Sequence, residues 1–79
     1  MNQENKLLQK FLENPISIKY SELKKNLISI GFIKRQGKGS HIHFKSCIHN
    51  LRFSIPVHNN KCKNIYKINV YKKIKNILN

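Results

Sequence analysis

Two runs of alternating apolar residues, joined by a short polar loop, constrain this chain more than any other feature. Ile42 and Phe44 alternate with His41, His43 and Lys45, and Leu51, Phe53 and Ile55 alternate with Arg52 and Ser54. A period of two marks strands with one buried and one wet face. A third extended run, Phe32 to Gln36, precedes them, and Gly37-Lys38-Gly39 supplies the turn between. Strands are therefore expected at 32–36, 41–45 and 51–55, with a loop at 46–50 and a stop at Pro56. Connections this short join neighbours in an antiparallel meander.

The flanking segments read as helices. Leu7, Leu8, Phe11 and Leu12 form one stripe on a helix from Gln3 to Leu12, and Asn14-Pro15 stops it. Ile16 to Tyr20 reads as a connector with a short extended piece. Ser21 is an N-cap residue type and Glu22 suits the first turn. Leu23, Leu27 and Ile30 then repeat at helical spacing, and Gly31 is placed to end a helix over 22–30. Val57 to Lys63 is a polar connector. A last helix over 65–78 carries Val70, Tyr71, Ile74, Ile77 and Leu78 as its buried stripe, with Lys67, Lys72, Lys73 and Lys75 on the wet side. The expected class is α+β, a single domain over 1–79 in the order α-α-β-β-β-α, with the helices on one face of the sheet. The other face would carry His41, His43, Lys45 and Arg52.

Charge narrows the partners. The chain has 79 residues and sixteen Lys plus Arg against three acids, Glu4, Glu13 and Glu22, for a formal net charge of +13. Codon bias toward Lys, Asn and Ile does not explain the shortage of acids. A polyanionic partner does, nucleic acid first and an anionic protein or membrane surface second. No apolar run approaches the roughly 20 residues that span a bilayer. The polar N-terminus shows no secretory signal, and Cys47 and Cys62 make no disulfide framework, so a soluble cytoplasmic protein with reduced thiols is expected.

The chemistry concentrates in Arg35-Gln36-Gly37-Lys38-Gly39-Ser40-His41-Ile42-His43-Phe44. Glycines allow a tight turn whose amides face an anion. Histidine exchanges a proton near neutral pH and can act as general base on a ribose 2′-hydroxyl. His41 is the candidate for that role. Ser40 and the amides of Gly37 and Gly39 would hold the phosphate, and Lys34, Arg35, Lys38, Lys45 and Arg52 would bind the RNA backbone. His43 shares the face of His41, either as second member of an acid/base pair or as a bystander stacked on a base. Tyr20, Tyr66 and Tyr71 could stack on bases too, although core packing is the simpler reading of Tyr71. His49 and His58 receive no role. Their spacing with His41, His43, Cys47 and Cys62 matches no standard zinc finger, so neither a metal nor another cofactor is expected.

In order, these pieces resemble the HicA family, the RNA-cleaving toxins of HicA–HicB toxin–antitoxin pairs. The resemblance rests on a helix ending in Ile30-Gly31-Phe32, the basic Lys34-Arg35-Gln36 and Gly39-Ser40-His41 with Phe44. Ile55-Pro56 with His58 just after it, and a closing helix carrying Val70 and Ile74, complete it. It covers roughly residues 15–78 and leaves 1–14 as a helical extension. It implies a fold like a double-stranded RNA-binding domain and a type II toxin: a metal-independent endoribonuclease that cleaves mRNA through His41. It also implies a HicB-type antitoxin partner and no membrane. The alternatives are a non-catalytic RNA-binding module of the same fold, or an interaction protein that docks an acidic partner.

Overall fold

The computed structural model describes residues 3–78, with the side chains of 6–77. The order is α1 (Gln3–Glu13), a 3-10 turn (Pro15–Ser17), α2 (Tyr20–Ser29), β1 (Ile33–Gln36), β2 (His41–Ser46), β3 (Leu51–Pro56) and α3 (Asn64–Leu78). The strands form one antiparallel sheet in the order β1-β2-β3. The expected α+β class, with three antiparallel strands and three helices, is what the chain adopts. Among the described residues no helix is long and apolar enough to cross a membrane.

The core lies on one side of the sheet. Ile42, Phe44, Phe53 and Ile55 are buried there against Phe11 of α1, Ile18, Tyr20, Leu23 and Leu27 around α2, and Val70 and Ile74 of α3. Alternation gives the opposite face to His41, His43, Lys45, Arg52 and Ser54, all exposed. β1 contributes no buried residue and overhangs the core as an edge strand.

The end of α2 follows the glycine. Gly31 adopts φ +104, its N–H donates to the Ile28 carbonyl at 3.1 Å, and the Phe32 N–H donates to Leu27 at 2.9 Å. This pair of bonds is a Schellman closure. It turns Phe32 into the core beside Leu27.

The start of α2 differs from expectation. The helix begins at Tyr20, so the N-cap is Lys19, not Ser21. Lys19 has no side-chain acceptor to offer. Instead Glu22, at the third helical position, accepts the Lys19 N–H at 3.0 Å. The earlier start buries Tyr20 and removes it from the candidates for base stacking. Before it, residues 15–17 form a 3-10 turn where an extended piece was expected. Pro15 suits a first helical position, and both the N–H and the hydroxyl of Ser17 donate to the Asn14 carbonyl.

α3 buries Val70 and Ile74 as expected, and Tyr71 packs edge-on against Phe11 with centroids 6.0 Å apart. The expected burial of Leu78 concerns a side chain outside the described ones. Lys67 corrects the reading of the wet side: it is only 8% exposed. Positions 67, 70, 71 and 74 share one helical face, so its stem runs along the core margin. Lys72, Lys73 and Lys75 are exposed.

Candidate nucleic-acid interface

Strand register sets which side chains meet on the open face. Directly opposed residues point to the same side. Arg35, His43 and Ser54 make one cross-strand row, Ile33, Lys45 and Arg52 a second, and His41 stands opposite Pro56. His41 and His43 are successive residues on this face, about 7 Å apart along the strand. All three acids of the chain belong to α1 and α2, so the sheet carries no carboxylate. The one ion pair among the described residues, Lys10 with Glu22 at 3.7 Å, lies between those helices. Cations on the open face thus face water rather than internal counter-charges.

Register also divides the cations proposed to bind RNA. Arg35, Lys45 and Arg52 share the face with His41 and His43. Lys34 opposes Phe44 and so belongs to the helix-bearing side, exposed only because β1 is an edge. Lys38 sits at the hairpin tip and is exposed. Ser54, which sequence reasoning placed outward but did not nominate, stands in the row of Arg35 and His43.

Hydrogen bonds fix the tip. The Gly37 N–H donates to the His41 carbonyl at 2.9 Å, the His41 N–H to Lys38 at 3.2 Å, and the Val57 N–H to Ser40 at 2.8 Å. The Gln36 side-chain amide reaches the Gly39 carbonyl at 3.4 Å. The Gly37 amide, expected to face a phosphate, is therefore engaged inside the hairpin. The amides of Lys38, Gly39 and Ser40 have no acceptor among the described residues. Gly39 is in the left-handed region at φ +60, with open space around it. Consecutive free amides beside such a residue suit an anion.

His43 lies closer to this turn than its sequence position implies. Its ring fills the space above Gly37, with Cδ2 2.7 Å from where a Cβ at 37 would stand. His41 is exposed, and neither imidazole is hydrogen-bonded to another side chain among the described residues. His49 is elsewhere, stacked on Phe32 at 6.5 Å, and His58 closes a small bridge with Lys61. Among the described residues no three His, Cys, Asp or Glu side chains converge as a metal site.

The face can therefore bind a polyanion, present two imidazoles to it and offer free amides at its end. No family model, curated protein or solved structure matches this chain.

Proposed function

We propose that this chain is an RNA-cleaving toxin of HicA type, with a fold like that of double-stranded RNA-binding domains. One observation carries the reading: His41 of the Gly-Ser-His tripeptide opens the central strand on an exposed basic face without carboxylates. Arg35, Lys45 and Arg52 would hold the RNA backbone, and the amides of Lys38, Gly39 and Ser40 would receive a phosphate oxygen. His41 would take the proton of the ribose 2′-hydroxyl. The 2′-oxygen then attacks the adjacent phosphorus, the bond to the 5′-oxygen breaks, and that oxygen takes a proton from His43 or water. The products are a 2′,3′-cyclic phosphate and a 5′-hydroxyl. An mRNA substrate places the activity in the cytoplasm, and a HicB-type antitoxin would cover this face with acidic side chains.

A second reading, a non-catalytic RNA-binding module, is favoured because no side chain among the described residues hydrogen-bonds either imidazole. Incubation with a defined RNA in EDTA separates them. Cleavage to cyclic-phosphate ends supports the nuclease, and a gel shift with intact RNA supports the module. Neither shift nor cleavage would reject both.

A further inference from the structure

A cleft of about 640 Å³ opens on the helical side of the molecule, away from the histidine face. Its walls are the 3-10 turn, the first residues of α2, the 59–62 turn and α3. Lys19, Lys61 and Lys67 line it, and no acidic residue does among the described ones. Surface lysines alone would mean little. Lys67 differs: it is 8% exposed, it lines the cleft, and no carboxylate pairs with it among the described residues. Its buried stem holds the ammonium at the cleft, where no carboxylate among the described residues answers its charge.

A second observation comes from Tyr20. Its hydroxyl oxygen is buried and has no hydrogen-bond partner among the described residues, and Tyr20 lines the same cleft. Buried hydroxyls are nearly always partnered, so an orphan in a cleft wall points to a missing acceptor. The N-terminus of α2 opens here as well, where Ser21 adds a lining hydroxyl. Glu22, next in sequence to Ser21, is drawn the other way: its carboxylate accepts the Lys19 N–H and faces Lys10 of α1.

We propose that this cleft binds a phosphate-type oxyanion, with the Lys67 ammonium as its charged contact and the Tyr20 and Ser21 hydroxyls as donors. Burial, with a smaller contribution from Cys62, raises the Tyr20 pKa, so the hydroxyl stays a proton donor at neutral pH. Burial likewise pushes the Cys62 thiol up, so no thiolate competes for Lys67. The site does not depend on the cleavage chemistry assigned to the sheet face. Its phosphate could be free or belong to a nucleic-acid backbone.

Titrating the intact protein with inorganic phosphate, at ionic strength held constant with chloride, tests this by amide NMR. Saturable shifts at Tyr20, Ser21 and Cys62 are expected. Lys67→Met keeps the buried stem and should weaken binding at least about tenfold, as loss of a charge-assisted hydrogen bond does. Tyr20→Phe should weaken it severalfold. Unsaturable shifts spread over the exposed lysines would overturn the proposal, as would unchanged affinity in Lys67→Met. If that variant does not fold, the wild-type shifts and Tyr20→Phe decide alone. A short single-stranded RNA separates the sources. Shifts of the same three amides that phosphate competes away assign the site to backbone phosphate, and RNA shifts confined to the sheet face assign it to the free ion.

Discussion

The imidazole of His43 stands where a side chain at Gly37 would have to go. A Cβ there would meet His43 Cδ2 at 2.7 Å and the His41 carbonyl oxygen at 3.0 Å. The Gly37 backbone is not in the left-handed region, so contact and not conformation demands the glycine. Gly37→Ala should leave the fold intact, push the His43 ring aside and disturb the hairpin at His41. Histidine side-chain NMR resonances would report it, with the shift largest at His43.

Gly39 fails for the opposite reason. Nothing lies within 4 Å of a Cβ there, yet φ is +60. Gly39→Ala should cost about 1 kcal/mol through backbone strain, and Gly39→Asn less, because asparagine tolerates that region. Urea denaturation of the two variants should rank them in that order.

Glu22 links the start of α2 to α1, and its loss should be pH-dependent. The hydrogen bond from the Lys19 N–H, aided by the Lys10 and Lys19 charges, holds its carboxyl below the usual glutamate value. A carboxyl with a lowered folded-state pKa stabilises above its unfolded value, and that contribution is lost as pH falls through the folded value. Glu22→Gln keeps an oxygen that accepts the Lys19 N–H and removes only the charge, so it should cost roughly 0.3–0.5 kcal/mol at pH 7 at this partly exposed site. In denaturant melts the gap from wild type should close in acid.

The sheet and the end of α2 were legible because each rests on one strong local rule. Alternation in 41–45 and 51–55 permits only one buried face, and Gly31 fits the left-handed closure at negligible steric cost. The start of α2 was not legible, since Lys19 has no capping propensity and the stabilising bond comes back from Glu22. Lys67 is charged, which suggests a wet position, yet its place on the Val70–Ile74 stripe buries its stem. In β1, Lys34-Arg35-Gln36 has no apolar periodicity, so only pairing with β2 shows which cation joins the histidine face. The His43 contact with Gly37 likewise depends on hairpin register.

That division of β1 predicts unequal effects on RNA binding. Arg35, Lys38, Lys45 and Arg52 surround the face and its tip, so log K against log salt should have a slope of roughly −3 for single-stranded RNA, at about −0.7 per phosphate contact. Arg35→Ala should flatten the slope by about 0.7. Lys34→Ala, on the other side of the strand, should change it much less. Fluorescence anisotropy over a salt series would compare them, and equal effects would contradict the assignment of faces.

In the proposed cleavage His41 moves the proton. Its side chain is exposed, so His41→Ala should change stability by less than about 0.5 kcal/mol and leave RNA affinity nearly intact. Loss of a general base should lower the rate by roughly 10²–10⁴. The direct measurement is single-turnover cleavage of a defined RNA at saturating protein, in EDTA, by wild type and by His41→Ala. Wild type should give cyclic-phosphate products, and the folded, RNA-binding variant a rate reduced by at least about a hundredfold. Cleavage by folded His41→Ala at the wild-type rate would contradict this role of His41.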